Sequence, residues 1–387
     1  MNKFSMLRSS LALLLALSVF APAGIASAEV GGVTVAKGLN GPMGVLVAPD
    51  GNVWVVDSGL GGSTEIQLPN PAEPDKPEII KIGNTARVVQ ITPDDQQTDV
   101  ASLPSVMMVA KGETAGAGRL ALLNGTLYVT SGAWTEATGP QRMPYMAAIV
   151  EVASDGKLTE VANTWDLEAA QNPDPYLKDT HPFGILAGPN GQLWVADSGG
   201  NDLLKVDPTT GEVQLVTTFA SLPGPIENLE RGGKKEIEPV PSGLAWGADG
   251  DLYVALLPGI PFLPGSAKVV HVAQDGSVRD FSTGLTMLTD LRLGPDGNLY
   301  AISIGQFTEQ GPVPNSGALI RVKGGTASEV VLDGLSFPTS LDFTPAGDAY
   351  VAINGVGAPV SGEVVLFKDV TGLAGKPLPP LPAVAAG

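Results

Sequence analysis

One sequence pattern recurs six times along the chain: an apolar stretch, a tight turn containing glycine, and a run rich in aromatic residues, valine and alanine. The copies are PMGVLVAPDGNVWVVD (42–57), GRLALLNGTLYVT (118–130), PFGILAGPNGQLWVAD (182–197), PSGLAWGADGDLYVA (241–255), TDLRLGPDGNLYAI (289–302) and PTSLDFTPAGDAYVA (338–352). Repetition of this kind indicates one supersecondary unit used over and over. Short apolar runs separated by turns predict an all-β fold, a six-bladed β-propeller with four strands in each blade.

The repeats span nearly all of the 387 residues, which favours a single domain over residues 29–372. Lys3 and Arg8, an apolar run over 11–20 and the small residues at 26–28 are typical of a cleaved signal peptide, residues 1–28. We therefore expect a secreted protein, located in the periplasm or outside the cell. Residues 373–387 are rich in proline and alanine and are expected to form a disordered tail.

Each blade is predicted to contain strands A to D, and in the first blade the third and fourth strands are predicted at 79–82 and 87–91. The last repeat lacks a fourth strand. Residues 33–39 resemble the fourth strand at 330–335, so the first strand of the mature chain is predicted to complete the last blade. Such pairing closes the propeller and removes exposed strand edges.

The chain is acidic, with a formal net charge of −18, and loss of Lys3 and Arg8 with the signal peptide makes it more negative. This charge disfavours nucleic acid and anionic membrane surfaces as partners. The apolar run near the start is too short to span a bilayer, so no membrane span is expected. There is no cysteine, which excludes disulfides and thiol chemistry. We expect a monomer.

The connections within the repeats are asymmetric. The A–B and C–D turns are tight, whereas every long segment joins B to C or D to the next A, so all long loops are predicted on one face. That long-loop face is predicted to carry His181 and five aromatic residues around one opening: Trp134, Tyr145, Tyr176, Phe262 and Phe307. These side chains favour binding of an apolar or aromatic small molecule or of a protein partner. The alternative is that the loops fold back as small local cores.

The inner strands alternate between core and channel positions. One set is always apolar and predicts the core: Val45, Leu120, Ile185, Leu244, Leu291 and Leu341. Four charged residues interrupt the other, channel-facing set: Arg119, Asp290, Arg292 and Asp342. They are either ligand-binding residues or a structural Asp/Arg pairing between the fifth and sixth blades. His181 is the one weak catalytic candidate, because imidazole suits proton transfer near neutral pH.

Residues 38–62, GLNGPMGVLVAPDGNVWVVDSGLGG, resemble the opening blade of the ScyD/ScyE family of exported bacterial propeller proteins. The family was first grouped through gene clusters for scytonemin, an indolic pigment. The resemblance implies the propeller fold and export, and it carries no settled activity to any residue here. The PDG-x-L-Y-V core is also shared with NHL-like and gluconolactonase-like propellers.

Gluconolactonase-like relatives hold a divalent metal through acidic or amide residues, commonly just before the inner-strand glycine. The corresponding positions here are Met43, Gly118, Phe183, Ser242, Thr289 and Thr339. None is a carboxylate, so no metal centre and no cofactor are expected, although calcium could bind weakly at acidic loops. Asp57 and Asp197, which end the WVVDSG and WVADSG strands, are predicted to cap turns.

The leading hypothesis is a propeller without an assigned catalytic activity that binds its ligand or partner on the long-loop face. An alternative is a lyase or hydrolase that uses His181 and the channel charges without a lactonase-type metal centre. A third is a structural protein of the cell surface that uses the acidic exterior. The sequence leaves the identity of the ligand open.

Overall fold

A computed structural model describes residues 31–68, 75–110, 112–139, 141–228, 231–308 and 311–381. The predicted signal peptide and residues 382–387 of the tail lie outside these ranges. The described residues form an all-β fold, as predicted, with six sheets of four or more strands. No helix in the described ranges is long and apolar enough to cross a membrane.

The first strand of the described chain, β1 (Val33–Leu39), belongs to the last sheet. Sheet 1 contains β2 (Pro42–Val47), β3 (Val53–Asp57), β4 (Thr64–Leu68), β5 (Glu78–Ile91), β6 (Gln97–Met108) and β7 (Glu113–Ala115). Sheet 2 contains β8 (Ala117–Leu123), β9 (Thr126–Ser131), β11 (Ala148–Val152) and β12 (Leu158–Asn163). Sheet 3 contains β14 (Pro182–Ala187), β15 (Leu193–Asp197), β16 (Asp202–Val206) and β17 (Val213–Thr218).

Sheet 4 contains β20 (Pro241–Trp246), β21 (Leu252–Leu256), β22 (Ala267–Val272) and β23 (Val278–Leu285). Sheet 5 contains β24 (Leu288–Leu293), β25 (Leu299–Ser303), β28 (Gly317–Val322), β29 (Glu329–Leu335) and β33 (Lys376–Pro377). Sheet 6 contains β30 (Ser340–Phe343), β31 (Ala349–Ile353), β32 (Gly362–Phe367) and β1.

Three two-stranded ribbons lie in the connections. They pair β10 (Trp134–Thr135) with β13 (Asp179–Thr180), β18 (Leu222–Asn228) with β19 (Lys234–Ile237), and β26 (Phe307–Thr308) with β27 (Gly311–Pro312). One α-helix, α1 (Trp165–Gln171), and short 3-10 helices at Glu136–Thr138, Pro189–Gly191 and Val370–Gly372 complete the described elements.

The first strands of the six sheets contact one another in the order β2, β8, β14, β20, β24 and β30, and β30 contacts β2. The six predicted core positions on these strands are all at most 1% exposed. Close approach of neighbouring inner strands depends on glycine: a Cβ added at Gly243 would lie 2.4 Å from the backbone nitrogen of Leu291. The inner strands therefore converge around one axis, and their channel-facing side chains are brought together there.

The first and last parts of the chain meet in sheet 6. Strand β1 pairs antiparallel with β32, and Val33 lies opposite Leu366. Side chains also link sheet 6 to sheet 1, because Val45 N donates to Ser340 Oγ at 3.1 Å and Val47 N donates to Asp342 Oδ2 at 2.7 Å. These contacts link sheet 6 to sheet 1.

In the first repeat, the segment predicted as the fourth strand is the third strand of the sheet. Residues 87–91 pair with β3, so they are the third strand and not the fourth. The fourth strand is β6, which the sequence analysis did not identify, and residues 78–82 pair instead with β4. The 14-residue β5 therefore takes part in three ladders, with β3, β4 and β6, and a short apolar run alone could not show which neighbour each half would pair with.

The tail is not disordered throughout, so that expectation is wrong for residues 376–381. Strand β33 pairs with the edge strand β29, and Leu378 packs against the apolar core shared by sheets 4 and 5. Leu381 lies so close to Gly265 that a Cβ there would be 2.4 Å from its Cδ1. Proline is compatible with an edge strand, and the leucines between the prolines supply the apolar contacts.

Candidate functional site

Arg119 lies where the inner strands converge, and its side chain is 1% exposed. The guanidinium donates hydrogen bonds to four backbone carbonyls: those of Met43, Gly118 at 3.1 Å, Thr289 at 2.5 Å and Thr339 at 2.8 Å. These carbonyls come from sheets 1, 2, 5 and 6. The planar fork of five N–H donors is the reason that one arginine can satisfy acceptors from several directions.

The remaining faces of this guanidinium meet sheets 3 and 5. Its Cζ lies 4.3 Å from the ring centroid of Phe183, a cation–π contact. Its Nε lies 3.6 Å from Asp290 Oδ1. Burial lowers the pKa of Arg119 to about 10, although the Asp290 carboxylate raises it. The guanidinium therefore remains charged at neutral pH.

Asp290 is fully buried and connects the fifth and sixth sheets. Its carboxylate accepts hydrogen bonds from Ser340 Oγ at 2.6 Å and from the backbone nitrogen of Leu341 at 3.3 Å. Arg292 Nη1 lies 3.4 Å from Asp290 Oδ1. Asp342 accepts the Val47 backbone N–H, and burial raises the pKa of Asp342, opposed chiefly by the charge of Arg292. All four channel-facing charged candidates thus lie in one network.

Phe262 and Phe307 contact each other, with ring centroids 5.1 Å apart in an edge-to-face arrangement. They belong to an apolar cluster at the long-loop ends of sheets 1, 4, 5 and 6, which we call the apolar cap. Its members are Val240, Leu257, Phe262, Met287, Ile304, Phe337 and Val356, with Met43, Ile260 and Phe307 packed against them. Because Met43 contributes its carbonyl to Arg119 and its side chain to the cap, the cap lies next to the charged network.

The other three aromatic candidates lie in separate environments. Trp134 is buried in a local core with Met146 and Trp165, and its Nε1 donates to the Gly139 carbonyl at 2.9 Å. Tyr145 packs on the core of sheets 1 and 2. The structure therefore does not gather the six predicted residues around one opening, and for Trp134 the alternative of a local loop core applies.

Tyr176 is the most exposed of the candidates, at 36%. The Arg231 guanidinium lies 4.3 Å from its ring centroid, and Lys234 Nζ donates to its hydroxyl at 2.6 Å. Two cationic side chains from the β18–β19 ribbon and its loop therefore contact the Tyr176 side chain. This arrangement fastens the ribbon to the loop after α1.

His181 is 6% exposed, and burial lowers its pKa to about 4. Its ring packs edge-on against Phe183, with centroids 5.6 Å apart. The hydrogen bond to a carboxylate comes from its backbone, whose N–H donates to Asp197 Oδ1 at 2.6 Å. An imidazole that is neutral and such a weak base is poorly matched to general base catalysis near pH 7.

Asp197 caps the turn that follows β15, as the sequence predicted, whereas Asp57 bonds to residues far away in the chain. Asp197 accepts the backbone N–H groups of Gly199 and Gly200, at 3.1 and 2.9 Å. Asp57 accepts the Asn40 N–H at 3.0 Å and pairs with Arg87 at 2.6 Å. These contacts hold the ends of β3 and β15 and leave the two carboxylates engaged with the backbone.

A second group of buried charges was missed from the sequence. It comprises Glu168, Asp174, Asp179, Asp197 and Asp202, which we call the acidic cluster. Burial and the neighbouring carboxylates raise the pKa of Glu168 to about 8 and raise that of Asp202 well above its usual range. Arg231 makes two hydrogen bonds to Asp174, at 2.8 and 3.1 Å. The five residues lie in α1, the loop after it, β13, β15 and β16, so no local spacing could have revealed the cluster.

A groove opens on the long-loop face between sheets 4 and 5, beside the tail. Its volume is about 370 Å³. Apolar side chains outnumber polar ones in its walls, which include Pro264, Leu285, Ile320 and Leu378. Asn315 also lines it, and the Oδ1 atom of Asn315 is buried without a hydrogen-bond partner in the described part of the chain. A groove with mainly apolar walls and a few polar groups has the character of a small-molecule site.

A lactonase-type metal does not fit the residues at the centre. Four of the six positions just before the inner-strand glycines turn their carbonyls to Arg119, and a fifth, Phe183, lies against its guanidinium. A second cation at this point would be repelled by the arginine. Within the described ranges, no group of three or more acidic or histidine side chains is arranged to hold a metal ion.

Comparisons with known proteins agree with this fold. Residues 184–358 match the family model for the SMP-30/Gluconolactonase/LRE-like region. A gluconolactonase from Xanthomonas campestris is 12% identical, with a TM-score of 0.50, over 86% of this chain and 88% of that one. A luciferin-regenerating enzyme is 13% identical, with a TM-score of 0.50, over 91% and 99% of the two chains.

A protein of unknown function from Bacteroides thetaiotaomicron is 13% identical, with a TM-score of 0.51, over 87% of this chain and 71% of that one. Comparison with curated protein sequences gave no significant match. At these identities the similarity concerns the fold alone. The chain has an all-β fold of the β-propeller kind found in SMP-30 and gluconolactonase proteins.

Proposed function

We propose that this protein is an exported, closed, six-bladed β-propeller of ScyD/ScyE type that binds an apolar or aromatic small molecule on its long-loop face. The six sheets, the ring of contacts among their first strands and the pairing of β1 with β32 support the closed architecture. The signal peptide predicted from residues 1–28 supports export to the periplasm or beyond. The proposal assigns no catalytic activity.

The observation that carries the binding function is the groove between sheets 4 and 5. Its apolar walls would receive the rings of a small ligand, and the size suits one of a few fused rings. The unpartnered Oδ1 of Asn315 would accept a hydrogen bond from an N–H or O–H group of that ligand. We therefore favour planar aromatic ligands with one polar hydrogen, such as indoles and phenols.

An enzymatic role receives less support from the site. His181 is buried and has a low pKa, and the channel charges are engaged with one another or with backbone groups. The relatives named as a gluconolactonase and a luciferin-regenerating enzyme share only the fold at their level of identity. The lactonase chemistry also lacks its metal-binding residues here.

Binding of indole and 1-methylindole to the mature protein, measured by titration calorimetry, tests the proposal. We expect Asn315→Ala to weaken indole by about fivefold, the usual value of one hydrogen bond, and to leave 1-methylindole unchanged because it has no N–H to donate. Asn298→Ala, in the exposed turn between β24 and β25, is the matched control and should change neither affinity. Equal affinities for the wild-type protein and Asn315→Ala, or no binding by the wild-type protein, would contradict the proposal.

A further inference from the structure

Five oxygen atoms converge on the guanidinium of Arg119. Four are backbone carbonyls, of Met43, Gly118, Thr289 and Thr339, and the fifth is Asp290 Oδ1. They come from four different sheets, so the sheets hold them in place independently of any one loop. Backbone carbonyls and one carboxylate are also the oxygen ligands that calcium takes in proteins.

The surroundings of this point require a positive charge. Asp290 is fully buried, and the carbonyl dipoles of four residues point inward. Without Arg119, the four buried carbonyls would lose this donor and Asp290 would lose one of its two arginine partners, which is costly in a buried site. Arg119 supplies that charge from within the chain, and its side chain fills the space.

We infer that the centre of this propeller is a cation site built from the backbone, that Arg119 occupies it as a covalently attached cation, and that removal of the Arg119 side chain converts it into a calcium site. The inference goes beyond the proposed ligand binding, which concerns the groove between sheets 4 and 5. It also gives a reason for the mismatch with lactonase-type propellers: the charge that a metal would bring is already present.

The first test compares the thermal unfolding of the wild-type protein and Arg119→Ala, with EGTA and with calcium chloride in excess. In EGTA we expect Arg119→Ala to unfold on the order of 10 °C lower, because four buried carbonyls lose this donor and Asp290 loses one of its two arginine partners. Calcium should recover about half of that loss by binding the folded form, and should shift the wild-type protein little. Equal midpoints for the two proteins in EGTA would overturn the inference.

Two further variants separate this site from weak calcium binding at surface acids. Arg292→Ala removes the other arginine near Asp290 but leaves Arg119 in place, so it should gain no calcium response. The double variant Arg119→Ala with Asp290→Asn removes the carboxylate ligand and should lose the response of the single variant. A response that persists in the double variant, or that appears equally in Arg292→Ala, would contradict the site.

Arg119→Lys keeps the test decisive if Arg119→Ala does not fold. Lysine keeps the charge but has three donors on a point-like head, so it cannot satisfy four carbonyls in one plane. For Arg119→Lys we expect a lower unfolding midpoint than in the wild-type protein and no response to calcium. Methylguanidinium at millimolar concentration should partly restore the midpoint only in variants with a shortened side chain, such as Arg119→Ser. A wild-type midpoint in Arg119→Lys would show that the carbonyl geometry does not matter.

Discussion

The central network and the acidic cluster are both buried and both charged, yet they differ in balance. At the centre, Arg119 and Arg292 face Asp290 and Asp342. In the acidic cluster, Arg231 binds Asp174, whereas Glu168 and Asp202 lie beside other carboxylates that raise their pKa. The central carboxylate of Asp290 lies beside two arginines, whereas burial and neighbouring carboxylates favour the protonated forms of Glu168 and Asp202. The comparison teaches that burial shifts a pKa most where no opposite charge lies beside the buried group to offset it.

The largest expected effect comes from breaking the balanced network. Asp290→Ala leaves Arg119 and Arg292 without their shared carboxylate and should lower the free energy of unfolding by about 3–5 kcal/mol. Its control is Asp99→Ala, which removes the exposed partner of Arg87, a pair 3.3 Å apart, and should cost less than about 1 kcal/mol. Urea unfolding of both variants measures the difference. Similar losses of unfolding free energy would mean that the central pairing stabilises the fold no more than an exposed ion pair does.

The acidic cluster should make stability fall as pH rises. Because the folded pKa of Glu168 is about 8, against an unfolded value of 4.5, the folded state binds more protons than the unfolded state between these values. The free energy of unfolding should therefore fall by about 2 kcal/mol between pH 6.5 and 9. Glu168→Gln should remove most of this slope in urea unfolding series.

Glu136→Gln, on the neighbouring 3-10 helix and exposed, is the control and should keep the wild-type slope. A Glu168→Gln variant with an unchanged slope would mean that other members of the acidic cluster, such as Asp202, hold the protons. That result would assign the pH dependence of the acidic cluster to a residue other than Glu168.

The smallest effect is expected at His181, which lies between the two regions. Its folded pKa is about 4 and its unfolded value is 6.5, so below pH 6.5 the unfolded state binds the extra proton and stability falls with falling pH. The difference in unfolding free energy between His181→Gln and the wild-type protein should change by about 1–2 kcal/mol from pH 6.5 to 4.5. Taking the difference cancels the contribution of Glu168, and a difference independent of pH would exclude this role of His181.

Much of the architecture could be predicted because the repeats are local patterns. The tight turns between the first two strands contain glycines with positive φ, such as Gly51 at 86° and Gly347 at 90°, and the alternation of apolar residues marked the buried side of each inner strand. The third and fourth strands of the first repeat were misassigned because β5 pairs with three strands, β3, β4 and β6. Its sequence contains no signal for which residues face β3 and which face β4.

The candidate site also combines residues that the sequence identified with partners that only the structure revealed. Sequence alignment of the inner strands identified Arg119, Asp290, Arg292 and Asp342 as exceptions to a pattern, and they do lie together. It could not identify the carbonyls that receive Arg119, because every residue has a carbonyl and only the packing of strands decides which ones converge. The aromatic residues of the long loops were identified by type, but their partners depend on how each loop folds back.

By itself, the sequence determined the repeat, the buried faces of the strands and the presence of charges where a channel would otherwise be small or apolar. Those features follow from periodicity and turn chemistry, which act over a few residues. The tertiary structure alone decided that Arg119 faces four backbone carbonyls, that five carboxyl groups from distant segments share one buried space, and that the tail borders a groove. Each of these depends on groups far apart in the chain, and the energies of burial and of charge pairing depend on distance in space rather than in sequence.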